Sequence, residues 1–304
     1  EFLIAPASSL SRKSTTATGM FNIIATMIDG TALSLPYAVS KCGIGVGIFV
    51  LLFSYQVTLL SCRVIITLSR KTCCSSLSEV VGTLLGSTMR QIFSWNLALI
   101  LVCILIGFMI LLDDIGTDIW HFWDSDGEPP KYAILVCAAI VSLPMTTQDT
   151  LHALRHSCYC GFASLCVLLG CLIYKSVIHA LRNPELLAEI RFGPERYTDV
   201  LTALPIIKLT FLCQFNILGV YGNLKDPTDA HIDTTIRVAL RIITLFYIIF
   251  STVGYVLFVV EFKDEAVDNI LAPYSVDDTL LLCGRCFLSV TLLAAIPVIM
   301  VPCR

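Results

Sequence analysis

Ala25-Thr-Met-Ile-Asp-Gly-Thr-Ala-Leu-Ser-Leu-Pro36 lies inside an apolar run at roughly 19–40 and carries an acid, a glycine and a hydroxyl together, with a proline shortly after. An Asp at a helix centre in lipid costs roughly 2.5–3.5 kcal/mol on insertion scales, and a proline inside a helix removes a backbone donor. Both costs fall if the helix breaks around Asp29, Gly30 and Thr31 and the break faces a watery cavity. A second run, Pro205-Ile-Ile-Lys-Leu-Thr-Phe-Leu-Cys-Gln-Phe-Asn-Ile-Leu-Gly-Val-Tyr221, has the same character, with Lys208, Gln214, Asn216 and Gly219 near its middle. Glycine and proline are also frequent in ordinary membrane helices, where polar residues often do no more than bond a neighbouring helix. Gly219 and Ser34 fit that plainer description. Lys208 has two readings: it pairs with Asp29 across the cavity, or it snorkels outward.

Working outward, the whole composition belongs to the bilayer. Of 304 residues 56% are apolar and 14% charged, where a soluble domain of this length is about half apolar and about a quarter charged. Apolar runs recur at roughly 19–40, 44–68, 91–112, 132–147, 158–180, 201–222, 236–262 and 279–302. In lipid the backbone polar groups of each run must be satisfied within it, so eight helices are predicted. Residues 1–18 read as a polar tail and 19–304 as the membrane domain. The first run is too long for a signal peptide and has no small-residue cleavage site.

The connectors give an orientation. With the N-terminus in the cytosol, the inner face collects Arg12, Lys13, Arg63, Arg70, Lys71, Arg90, Arg155, Lys225, Arg237, Arg241 and Arg304. The outer connectors are acidic, with Asp113, Asp114, Asp118, Asp124, Asp126 and Glu128 in one and Asp264, Glu265, Asp268, Asp277 and Asp278 in another. This is the bias of the positive-inside rule. Trp120 and Trp123 are assigned to an outer connector at headgroup level and Arg285 to a snorkelling anchor, while the loop at 181–200 is mixed in charge and adds little to the orientation.

Most of the 14 cysteines fall in apolar runs and read as buried thiols; Cys73, Cys74, Cys158 and Cys160 flank helix ends, where palmitoylation is conceivable. The five histidines are scattered, and no catalytic arrangement or metal spacing of an enzyme is recognisable. Nor is there a run of Lys or Arg suited to nucleic acid. No cofactor is expected. The chain begins without Met and ends directly after its eighth run, which reads as a fragment.

Interrupted spans at matching positions in two repeats point to a transporter's substrate site. At these residues the chain resembles the amino acid/auxin permease family, and within it the sodium-coupled neutral amino acid transporters. The residues that carry the resemblance are Asp29-Gly-Thr-Ala-Leu-Ser-Leu-Pro-Tyr-Ala38, Cys213-Gln214, Tyr221-Gly-Asn-Leu-Lys-Asp226, Ser142-Leu-Pro-Met, Leu154-Arg-His-Ser157, Tyr174-Lys175, Gly254-Tyr255, Pro297 and Pro302-Cys-Arg304. The resemblance implies an all-α, LeuT-like fold of eleven helices in two inverted repeats of five, of which eight helices are present. It also implies an amino acid substrate whose carboxylate binds amides near Gly30, Thr31 and Ala32. The ammonium would bind carbonyls near Met27, Ile28, Leu212 and Cys213, with Gln214 and Asn216 beside them.

Sodium-coupled relatives carry Asn at the place of Ala25 and Thr at the place of Leu293, and Thr291 is predicted to point to a different face from Leu293. These departures favour transport coupled to protons, or to no ion, over sodium coupling. Asp29, Lys208 and Thr291 are the candidate coupling residues, Asp29 either taking a proton or attracting a cationic substrate. The expected membrane is lysosomal, vacuolar or plasma membrane, and the alternative function is a sensor that binds an amino acid with little flux.

Overall fold

The computed structural model describes residues 15–28, 30–123, 132–146, 155–224, 228–262 and 279–300. The described residues carry eleven α-helices: α1 (Thr16–Met27), α2 (Leu35–Cys42), α3 (Ile44–Thr72), α4 (Leu77–Leu85), α5 (Ser87–Trp123), α6 (Ala133–Thr146), α7 (Arg155–Arg182), α8 (Tyr197–Thr210), α9 (Gln214–Asn223), α10 (Asp229–Phe262) and α11 (Thr279–Met300). Short 3-10 helices run over Gly30–Ser34 and Pro184–Glu189.

Six spans are long and apolar enough to cross a bilayer, with α8 and α9 counted as one, and α1 with the helix that follows it makes a seventh bent by 53°. The fourth predicted run gives only the 14 residues of α6, about 21 Å of helix, shorter than a typical hydrocarbon core. Its flanks at 124–131 and 147–154 lie outside the described residues.

Local signals explain where the elements start and stop. Thr15 caps α1 by accepting from the Thr18 amide at 3.3 Å, so the predicted tail already turns helical at Thr16. Pro36 occupies the first turn of α2, where its missing N–H costs nothing. Cys73 ends α3 in the left-handed region at φ 55°. The sequence reading passed over α4, although Ser76 and Glu79 form a capping box at its start. Burial raises the Glu79 pKa, but hydrogen bonds from the amides and hydroxyls of Ser76 and Ser75 outweigh it and hold the carboxyl below its usual range.

Helix α5 runs well past the predicted third segment. Asp113, Asp114, Asp118 and Trp120 are therefore helical, which corrects their assignment to a connector. Acidic side chains do not end a helix whose backbone is satisfied within it.

The core lies among α1, α9, α10 and α11, whose inward residues include Ile23, Ile24, Ile217, Ile243, Phe250 and Leu292. Large apolar side chains such as Phe49, Leu99, Ile106, Ile140 and Leu245 stay exposed on the perimeter, as lipid-facing residues do. At one end the segment after α7 folds over the α2–α3 turn. The amides of Ile44 and Gly45 donate to the carbonyls of Arg191 and Phe192 at 3.0 Å each, and the Arg191 amide donates to the Tyr255 hydroxyl at 3.1 Å. Gly43 is required there, with φ 76° and with the Gly193 backbone 2.6 Å from where a Cβ would stand. Residues 191–193 thus cap the α2–α3 turn.

At the other end Arg63 of α3 grips Asp233 of α10 with two bonds, at 2.5 and 3.1 Å, and Arg237 pairs with the same carboxylate. Arg70 donates to the Tyr221 hydroxyl at 3.0 Å. Three of the basic residues assigned to the inner face therefore share one end of the bundle.

Candidate functional site

The two sequence breaks meet in space. Helix α1 makes its last regular bond from the Ile28 amide to the Ile24 carbonyl at 2.8 Å, and the backbone then leaves the helix at ψ 95°. Helix α8 ends at Thr210, and α9 restarts at Gln214 after a turn at 211–213. Each break frees carbonyls at the C-terminal, partially negative end of a half-helix. Tyr247 of α10, fully buried, places its hydroxyl 2.5 Å from the Met27 carbonyl oxygen and 2.9 Å from that of Thr210. Its ring packs edge-on against Phe211 at 5.4 Å between centroids. One side chain thus touches the ends of both half-helices.

A polar relay lies beside it. Asn216 Nδ2 lies within donating reach of Thr26 Oγ1 at 3.1 Å and of the Val298 carbonyl at 3.3 Å, while Thr26 donates to the Asn22 carbonyl at 2.8 Å. This ties α9 to α1 and α11. Gln214 turns back to accept from the Cys213 amide at 3.0 Å. Cys213 itself faces Cys62 of α3, with 3.9 Å between the sulfurs.

Of the predicted substrate-binding residues, Met27, Ile28, Gly30, Ala32, Cys213 and Asn216 are buried around these breaks, and Thr31, Leu212 and Gln214 are half-buried. Gly30 owes its identity to crowding as well: a Cβ there would stand 2.7 Å from Leu111 and 2.9 Å from Leu292.

Asp29 lies outside the described residues. Lys208 places its ammonium 5.4 Å from the centroid of the Phe53 ring of α3. Thr291 and Ala25 line one small cavity with Ile28, Gly161, Ala294 and Ala295, with room for about 10 Å³, the space of roughly one water. Leu293 does point elsewhere, lining a wider apolar cavity of about 360 Å³ between α5, α6 and α11. It is therefore the Thr291 face that looks at Ala25.

Among the described residues Thr291 supplies the one side-chain oxygen around the small cavity, and it already lies 3.1 Å from the Gly161 and Phe287 carbonyls, each within reach of its single proton. A hard cation needs a cage of several oxygens, and apolar side chains, Phe162 among them, make up the remaining side-chain surface here. Among the described residues, the side chains of this cavity thus offer a cation a single oxygen.

Arg285 is not a snorkelling anchor. It is 1% exposed, and its Nε lies 3.2 Å from Asp118 of α5. A guanidinium directed into the bundle is offset by a carboxylate from a neighbouring helix and has no need of the headgroups.

Two residues that matter at the breaks escaped the sequence reading, Tyr247 and Thr26. The available signal was a tyrosine centred in the apolar seventh run, which lipid makes costly unless its hydroxyl finds a partner.

A family model for transmembrane amino acid transporter proteins matches residues 12–304. The chain is 20% identical over 290 residues to human solute carrier family 38 member 10, covering 93% of this chain and 25% of that protein. It is 23% identical over 279 residues to amino acid transporter AVT6A of Arabidopsis thaliana, covering 85% and 58%. It is 22% identical over 289 residues to vacuolar amino acid transporter 5 of Schizosaccharomyces pombe, covering 94% and 67%. The chain therefore spans about a quarter of the length of the human relative.

Proposed function

We propose that this chain, which belongs to the family of transmembrane amino acid transporter proteins, forms the substrate-binding core of a secondary transporter working by alternating access. The observation that carries this reading is the convergence of the α1 and α8 breaks on one buried point. The partially negative ends of α1 and α8 suit the ammonium of an amino acid, and amides at Gly30, Thr31 and Ala32 suit its carboxylate. Main-chain groups recognise what all amino acids share, so the side chain of the substrate is left to the surrounding packing.

Transport is coupled to protons or to no ion, with Asp29, Lys208 and Thr291 the residues to test. The single side-chain oxygen around Ala25 and Thr291 supports this over sodium coupling. The N-terminus is cytosolic, in keeping with the clustered Arg63, Arg70 and Arg237, and the membrane is vacuolar, lysosomal or plasma membrane. The similarity to the vacuolar relative of fission yeast favours the vacuole.

Uptake by the full-length parent protein in proteoliposomes tests the reading, using a panel of radiolabelled amino acids and imposed proton or sodium gradients. Accumulation driven by the proton gradient and lost in Asp29→Asn is the expected result. Accumulation driven by sodium overturns the coupling. Binding without flux overturns transport and leaves a sensor.

A further inference from the structure

Tyr247 carries the inference. Its hydroxyl holds one proton, yet it stands within hydrogen-bond reach of two carbonyl oxygens, those of Met27 and Thr210. These oxygens belong to the last helical residues of α1 and α8. Their helical partners would be amides four residues on, beyond the breaks. The point is therefore flanked by two partially negative helix ends, and a single neutral donor serves them one at a time. An ammonium would serve them better, bringing three donors and a full positive charge.

We propose that the Tyr247 hydroxyl is the resident occupant of the ammonium position, holding the two freed carbonyls in the empty protein and giving way when an amino acid arrives. This rests on the breaks being the substrate site. Tyr247 is then a positioning residue that lowers apparent affinity, because substrate binds only the fraction of molecules in which the hydroxyl has withdrawn. The edge-on contact of its ring with Phe211 lies in the α8–α9 turn itself, so withdrawal of the hydroxyl moves the break. Occupancy of the site is thereby linked to the geometry of the hinge.

The test compares the full-length protein with Tyr247→Phe, measuring binding of L-alanine, L-glutamine and L-arginine by thermal shift and their uptake in proteoliposomes. Losing the occupant should lower the dissociation constant and KM of whichever amino acid binds by about fivefold, the factor for one net hydrogen bond. The empty variant should melt earlier than the parent, and substrate should restore more of its melting temperature. If Tyr247→Phe fails to fold, Tyr247 is replaced by 4-aminophenylalanine, whose two N–H donors serve both carbonyls at once. The affinity should then shift the other way. An unchanged or raised dissociation constant in Tyr247→Phe, or a tighter one with 4-aminophenylalanine, overturns the proposal while leaving the transport site standing. Binding of none of the three amino acids by the folded parent protein sinks the site and this inference with it.

Discussion

Asp118 and Arg285 illustrate what a single side chain's surroundings do to its role. The guanidinium is buried while its carboxylate partner is 36% exposed, so the two ends of the pair are unequal. Removing the carboxylate charge leaves a buried cation with less compensation. Asp118→Asn should therefore cost about 1–2 kcal/mol of stability, less than the roughly 3–5 kcal/mol of a fully buried pair because water reaches and screens the Asp. The double change Asp118→Leu with Arg285→Met should recover most of that loss. Thermal melts in detergent decide it, and equal destabilisation by the single and double variants would show that the pair carries no such energy. None of this was legible in the sequence, where an arginine near a helix end reads equally well as an anchor.

Among elements, the telling contact is between α3 and the α8–α9 turn. Cys62 and Cys213 stand 151 positions apart in sequence but have their sulfurs 3.9 Å apart, both buried. A disulfide needs roughly 2 Å, so a modest shift of the turn would close the bond. Treatment with hydrogen peroxide should take two protons and two electrons from the pair, giving the disulfide and two waters. Uptake should then fall, dithiothreitol should restore it, and Cys62→Ala should be insensitive. Persisting peroxide sensitivity in Cys62→Ala would mean that this pair is not what oxidation reaches. The elements themselves were largely legible, because lipid penalises every unsatisfied backbone group and so marks each span by composition. Element ends were less so: α5 continues through Asp113, Asp114 and Asp118, charges that a sequence reading assigns to a connector.

At the scale of the whole molecule, the buried amide of Asn22 is the clearest sign of a second arrangement. The residue is 1% exposed, and among the described residues neither its Nδ2 nor its Oδ1 has a hydrogen-bond partner. An orphaned buried amide costs about 1–3 kcal/mol. Its helix, α1, packs on α7, α9, α10 and α11, and a movement of these helices against one another would bring it water or a new partner. Asn22→Leu, close in volume, should raise the melting temperature by removing the orphan, and should slow uptake by favouring this packed arrangement. A lower melting temperature would mean that the amide is satisfied here after all.

The sequence by itself determined the class of the protein, most of its membrane spans and the place of its two breaks. Those follow from costs that act locally along a chain in lipid: an acid at position 29, a proline at 36 and polar residues at 208–216 cannot sit in an unbroken, lipid-facing helix without a partner or a cavity. Only the tertiary structure decided which groups meet at the breaks. Tyr247 reaches Met27 across 220 positions, and Thr291, two residues from Leu293, shares a cavity with Ala25. Such meetings depend on how helices rotate and cross, and the pattern of apolar residues within one helix leaves that rotation open when nearly every face is apolar.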